Sequence, residues 1–491
     1  MKGRTLMVQG TASSVGKSLV VAGLCRLFAR RGLRVAPFKA QNMSNNAAVC
    51  LDGAEIGRAQ ALQALACGIE PSASMNPILL KPQGDSTSQV VVRGRAIGAL
   101  SARDYQARKR SWLPLVQECI EELRASCELV VIEGAGSPAE VNLRKNDIVN
   151  MRTAELAQAP VLLVGDIDCG GVFAQLIGTL SLLRPAERAR VRGLVVNKFR
   201  GDPSLFDSGR SFLERRTRRP VLGVLPYLRD LHLPDEDAAT LHCVATAAAP
   251  DALRIDVVRH PRIANFTDFD ALRAEPDVAL RFIDAPPAGA ADALILPGTK
   301  STIADLRELK KSGLAEHVQR ALARGAEIVG ICGGYQMLGE WVHDRAGVES
   351  APESEPGLGL LPAETEFRGE KRTARASGLH RASGLEVSGY EIHMGETQVR
   401  GGAPLLALAP DGRPDGCVHA DGRVWGTYLH GIFDAPGFRR HFLDGLRARR
   451  GLAPLGTPAA FSPTAELDRL ARCLEQNLDM QAIERIVEAG A

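Results

Sequence analysis

The chain has 491 residues, enough for two to four domains, and its 45% hydrophobic and 24% charged content is that of an ordinary folded protein. Its 60 basic and 57 acidic residues leave a net charge of +3, and only 4% of residues are aromatic, which together argue against nucleic-acid and membrane-surface partners. No apolar run approaches the roughly 20 residues a bilayer span needs, and Leu6-Met-Val8 is too short for a signal-peptide core. The ten cysteines form no CxxC pair, so a reducing, cytoplasmic setting is expected.

Thr5-Leu-Met-Val8 predicts a first strand, and Leu19 to Arg31 an amphipathic helix. Between them lies Gly10-Thr11-Ala-Ser13-Ser-Val-Gly16-Lys17-Ser18. Such a loop offers N–H groups to phosphate; Lys17 adds positive charge and Ser18 can reach Mg²⁺. Gly10, Thr11, Ser13, Gly16, Lys17 and Ser18 are therefore candidate ATP-binding residues. Five residues separate the glycines instead of the usual four. This longer loop resembles the dethiobiotin synthetase branch of phosphate-binding-loop proteins. ParA/MinD-type ATPases carry a second lysine where this chain has Ala12, which disfavours a partition ATPase.

Leu33 to Phe38 predicts a second strand, ending at Lys39-Ala-Gln-Asn-Met-Ser-Asn-Asn46. In α/β sheets, ligands bind at such strand ends. Lys39 fits a phosphate, a substrate carboxylate or plain solvent. A helix is expected to open within Asp52 to Gln60, and Ser101 to Ala125 reads as mostly helical. Glu128 to Ile132 predicts a strand ending in Glu133, Gly134 and Gly136. Glu133 suits Mg²⁺ coordination; an N-cap or a surface acid is the alternative. The resemblance to dethiobiotin synthetase makes Asp52 a second metal candidate. Strands at Pro160–Val164, Val191–Val196 and Pro220–Val224 follow, and Asn197 stands where related proteins hold the base. The alternation implies an α/β, mostly parallel sheet covered on both faces, over residues 1–231. A polar, then Ala-rich linker occupies 232–252.

Strands restart at Leu253–Val258, Val278–Ile283 and Ala293–Leu296, the last running into Pro297-Gly298. Glu327-Ile-Val-Gly-Ile-Cys332-Gly-Gly-Tyr-Gln336-Met-Leu338 reads as strand, sharp turn and helix, with a thiol at the turn and a helix over Tyr335–Trp341. The helix N-terminus favours the thiolate. This segment resembles the nucleophile motif of class I glutamine amidotransferase domains. The resemblance implies that Cys332 attacks glutamine, that Gln336 helps hold it, and that Gly298 and Gly333 supply oxyanion N–H groups. His430, ending Val424-Trp-Gly-Thr-Tyr428-Leu-His430, is the expected base. Class I triads generally place Glu two residues after the histidine, where this chain has Ile432, with Asp434 two further on; a Cys–His dyad is thus open. His393 reads as structural or substrate-facing. The amidotransferase unit is expected over 253–446. A tail, 447–491, carries a helix from about Thr464 that is expected to dock on that unit.

Taken over its length, the chain resembles the adenosylcobyric acid synthase family. The motifs carrying the match include Gly10–Ser18, Phe38–Asn46, Glu55–Gln60, Val196–Asp202, Leu296–Thr302, the Cys332 turn, Tyr390–Gly395 and Gly426–His430. The resemblance implies ATP- and Mg²⁺-dependent amidation of corrinoid carboxylates with glutamine as nitrogen donor, and a homodimer is compatible with it. An a,c-diamide synthase is the nearest alternative; a nucleotide-dependent scaffold with an inactive glutaminase domain is the alternative from another class.

Overall fold

The computed structural model describes residues 2–84, 86–228, 231–234, 251–349 and 351–490, so most of the expected linker lies outside them. Uninterrupted apolar strands dictate the first sheet. Leu129–Glu133 is buried at every position, as a parallel strand covered on both faces must be. Six parallel strands run in the order Val221–Pro226, Val191–Phe199, Val161–Asp166, Arg4–Gly10, Leu129–Glu133, Val35–Phe38. This nucleotide sheet gathers the phosphate loop, Lys39, Glu133 and Asn197 at one end.

The second parallel sheet has the order Val278–Ile283, Leu253–Val258, Ala293–Leu296, Glu327–Ile331, Val424–Thr427, with Cys417–Val418 antiparallel at its edge. Beside it, Ala363–His380 and Glu386–Val399 form a long antiparallel hairpin.

A four-stranded sheet of Gln41–Met43, Ile78–Pro82, Thr87–Val92 and Arg95–Ser101 divides the two halves. Side chains alternate across a strand. Ile78, Leu80 and Val90 accordingly join the core of the nucleotide half. Leu79 and Val91 instead pack on Tyr390 and Ile392 of the long hairpin. We call this sheet the partition.

Three sequence expectations are corrected. The helix expected within Asp52–Gln60 starts only at Arg58, because Ala47–Val49 and Glu55–Gly57 pair as a hairpin with Asp52 and Gly53 in its turn. The helix after Cys332 ends at Leu338, and Trp341–Asp344 is a strand paired with Glu353–Pro356 and the long hairpin. The tail forms two helices, Pro463–Asn477 and Met480–Ala489, which dock on the nucleotide half rather than the amidotransferase half. Leu467, Leu470 and Leu474 bury against the helix Lys17–Arg30, and Arg26 pairs with Asp468 at 2.8 Å.

Candidate active sites

The thiol site rests on a forced turn. Cys332 has φ 52° and ψ −109°, an unfavourable conformation for a side-chain-bearing residue. It persists because the chain on both sides is immobilised. The Cys332 N–H donates to Thr427 O at 2.8 Å, and a Cβ on Gly334 would lie 1.9 Å from Leu296 O. Only glycine lets the helix start this close to the sheet. The thiol points at Ile392 O, 3.6 Å away.

His430 is buried, and its Nδ1 meets Asp268 Oδ2 at 2.6 Å. The other Asp268 oxygen accepts the Gly431 N–H at 3.1 Å. The carboxylate against the imidazole thus comes from a segment 162 residues away, not from the position of Ile432. Asp434 makes no such contact with His430; its burial pushes its carboxyl up to about 7. Burial works against the His430 imidazolium, but Asp268 and Cys332 outweigh it and raise the group to about 10. In the neutral ring, with Nδ1–H donated to Asp268, Nε2 can accept the Asn265 amide N–H at 3.3 Å.

Gly298 borders both the imidazole and the thiol: a Cβ there would stand 3.0 Å from His430 Cε1 and 3.7 Å from Cys332 Cβ. The N–H groups of Gly298 and Gly333 find no hydrogen-bond acceptor among the described residues. Gln336 is fixed from both ends, donating to Tyr428 OH at 3.1 Å and accepting from Thr302 Oγ1 at 3.0 Å. His393 stacks on Tyr428 and bonds Gly395 O, which holds it in the wall of the pocket.

Opposite charges line the same pocket. Burial pushes Lys300 down to about 8 and Glu349 up to about 8. Lys81 reaches in from the partition and pairs with Glu55 at 2.6 Å, and Lys371 of the long hairpin pairs with the same carboxylate. Burial alone would raise Glu55, but Lys371 and Lys81 hold it well below the usual carboxylate range.

At the nucleotide site, Gly16 takes φ 95°, and a Cβ there would be 2.3 Å from Asn197 Nδ2. Asn197 donates to Val15 O at 2.8 Å, so it braces the loop. Lys17 Nζ donates to Ala12 O at 2.8 Å and Gly136 O at 3.1 Å. Thr11 is tied to Gln175 at 3.0 Å, and Ser13 lines the pocket. Glu133 is buried and accepts from Ser18 Oγ at 2.8 Å, Lys39 Nζ at 2.8 Å and Gln63 Nε2 at 2.5 Å. Gln63 was not singled out by the sequence. Asp52 does not join this group. Its turn faces the long hairpin, where its carboxylate accepts the Ala54 N–H and it borders a separate cavity with Lys371 and Thr373.

Direct contacts tie the two sites together. Asn265, at φ 53°, accepts the Ala47 N–H at 3.0 Å while its amide touches His430. Asn46 accepts the Phe266 N–H at 3.0 Å. Arg58 donates to Tyr390, whose ring stacks on His430 with centroids 5.2 Å apart.

A strained thiol with an aspartate-backed histidine, joined to a phosphate loop with a buried acid, defines a glutamine amidotransferase fused to a nucleotide-binding synthetase. Residues 254–438 match the CobB/CobQ-like glutamine amidotransferase domain, and residues 6–240 the CobQ/CobB/MinD/ParA nucleotide binding domain. The chain is 52% identical over 495 residues to a cobyric acid synthase of Pelotomaculum thermopropionicum, covering 98% of this chain and 93% of that one. It is 51% identical over 515 residues to a cobyric acid synthase of Sorangium cellulosum, covering 99% of each. The chain belongs to the cobyric acid synthase family. Among the described residues, no helix is long and apolar enough to cross a membrane.

Proposed function

We propose that the chain amidates the b, d, e and g carboxylates of adenosylcobyrinic acid a,c-diamide, using ATP, Mg²⁺ and ammonia released from glutamine. Residues 1–231 form the synthetase unit and 253–446 the amidotransferase unit. The observation that carries the reading is the presence, in one chain, of the Cys332–His430–Asp268 set and the Lys17–Ser18–Glu133 set on opposite sides of one partition.

Glutamine enters with its α-ammonium toward Glu349 and its α-carboxylate toward Lys300. His430 takes the Cys332 proton, and the thiolate attacks the side-chain amide carbon. The N–H groups of Gly298 and Gly333 receive the developing oxyanion, a contribution of about 3 kcal/mol per donor. The imidazolium returns its proton to the departing nitrogen, and ammonia leaves a thioester that water hydrolyses.

A carboxylate resists attack by ammonia until it is activated. The corrinoid carboxylate attacks the γ-phosphorus of ATP, releasing ADP and forming an acyl phosphate. Ammonia then adds to the acyl carbon and phosphate leaves. Lys17 and the loop N–H groups offset charge on the phosphates. Ser18 and Glu133 offer the hard oxygens Mg²⁺ prefers, and the ion would draw its remaining ligands from phosphate and water. Lys39 would follow Glu133 or move to a phosphate oxygen.

Two variants test the division of labour. Cys332→Ala should abolish glutamine-supported amidation and leave ammonia-supported amidation intact. Lys17→Ala should abolish both. Ammonia-supported turnover surviving in Lys17→Ala removes the phosphate loop from the mechanism.

A further inference from the structure

The partition has a second face. On that side, Leu80, Val90 and Leu100 border a cavity of about 1180 Å³ that also takes in Tyr105 and Met151. Ligand pockets usually run to about 300–1,000 Å³, so this one suits a ligand larger than an ordinary metabolite. Its wall is continuous with the nucleotide pocket, because Gln41, Met43, Ala135 and Gly136 line both. Gly136 O is also an acceptor for Lys17 Nζ, so the cavity ends beside the phosphate loop.

Its charge is one-sided. Basic side chains outnumber acidic ones two to one around the cavity, in a chain whose basic and acidic totals nearly balance. Three of the acids are already engaged. Asp147 caps the N–H groups of Val149, Asn150 and Arg152, Glu155 pairs with Arg152, and Glu187 accepts the Arg184 N–H. By contrast, Lys109, Arg110, Lys145 and Arg192 have no ion pair or side-chain hydrogen bond among the described residues. Lys109 is the telling one, since it is only 7% exposed. Burial disfavours its ammonium, and Asp147, the nearby charge that offsets this, is shared with three backbone N–H groups, so a ligand carboxylate at this wall relieves the remaining cost.

We propose that this cavity is the corrinoid site. The macrocycle lies on the apolar wall of the partition, its peripheral carboxylates face Lys109 and the basic rim, and one carboxylate at a time extends past Gly136 to the γ-phosphate. This rests on the functional reading above. Several unpaired cations around a wide opening allow the same ring to reseat with a different carboxylate presented. The partition also accounts for ammonia supply over a short path. Lys81 faces the thiol pocket, while its neighbours Leu80 and Pro82 face the cavity, so the two sites lie on opposite faces of one strand.

The test uses the full-length protein and adenosylcobyrinic acid a,c-diamide as probe. Lys109→Ala and Arg192→Glu are compared with the parent for corrinoid binding, by equilibrium dialysis read at the corrin absorbance, and for KM in ammonia-supported amidation. Each should weaken binding and raise the corrinoid KM by about tenfold or more, the loss of one charged contact. The KM for ATP and the glutaminase rate should stay within about twofold of the parent, which also reports folding. Arg192 is on the exposed rim, so its variant decides the case if Lys109→Ala is unstable. Unchanged corrinoid affinity in a folded Arg192→Glu and Lys109→Ala, with the parent amidating the corrinoid, overturns the cavity assignment alone. A parent that binds no corrinoid and amidates none overturns the functional reading and the proposal together.

Discussion

Asp268→Asn changes one oxygen to nitrogen inside a pair whose side chains are 1% and 2% exposed. The Gly431 N–H keeps an acceptor if the new amide oxygen stays where Asp268 Oδ1 now is. The amide NH₂ then faces His430 Nδ1 and can only donate, so the ring proton is forced to Nε2. That nitrogen must instead accept the Cys332 proton. In serine-protease triads the same exchange costs about 10⁴-fold. Cysteine supplies some thiolate without help, so we expect a loss of about a thousandfold in glutaminase kcat/KM, or about 4 kcal/mol. The pH profile should move as well. His430 stands raised to about 10, with burial opposing and Asp268 the first of the groups that raise it. Without Asp268, burial dominates and the group falls, so the alkaline limb of glutaminase activity should shift to lower pH. Ammonia release from glutamine, followed across the pH range, reads both effects, with ammonia-supported amidation as the control. An Asp268→Asn enzyme with full glutaminase activity and an unmoved alkaline limb refutes the triad. Asp434→Asn would then be the next variant to examine.

Asn265→Ala removes the amide that stands 3.3 Å from His430 Nε2 and cuts the link to Ala47. Glutamine hydrolysis without ATP or corrinoid should rise about fivefold, one hydrogen bond's worth; a fall or no change shows that Asn265 does not restrain the base. Gly16→Ala places a Cβ 2.3 Å from Asn197 in a φ 95° conformation. Calorimetric ATP affinity should drop by about tenfold or more, and undiminished affinity would contradict the loop geometry. Leu474→Ala empties a buried site against the Lys17–Arg30 helix and alters the wall of the nucleotide pocket. It should cost about 2–5 kcal/mol in urea unfolding and raise the KM for ATP. A variant as stable as the parent argues that the tail helix docks elsewhere.

Much of this was legible because some local signals are unambiguous. The phosphate loop, the Cys332 turn and the apolar parallel strands each carry their meaning within about ten residues. What the sequence hid is long-range. Asp268 is buried in a short helical turn with Phe266 and Phe269, and nothing in its neighbourhood points to a histidine 162 residues later. The only hint was a cluster of polar residues, Asn265 to Asp270, just after a strand where ligands gather. Asp52 misled for the opposite reason: its place in the chain matched a family pattern, but a hairpin turned it to the other side. The tail helices are amphipathic, and amphipathicity says that a face is buried without saying against which sheet. The partition went unread because its strands are short and their pairing is mixed, with Gln41–Met43 parallel to Ile78–Pro82 and the rest antiparallel.

The most direct measurement is the mass of the corrinoid after incubation of the purified protein with adenosylcobyrinic acid a,c-diamide, ATP, Mg²⁺ and glutamine. Each conversion of a carboxylate to an amide lowers the mass by about one dalton, and the account predicts four such steps, none of them in Lys17→Ala. An unchanged corrinoid mass, with ATP and glutamine still being hydrolysed, would keep the two-site chemistry and contradict the substrate.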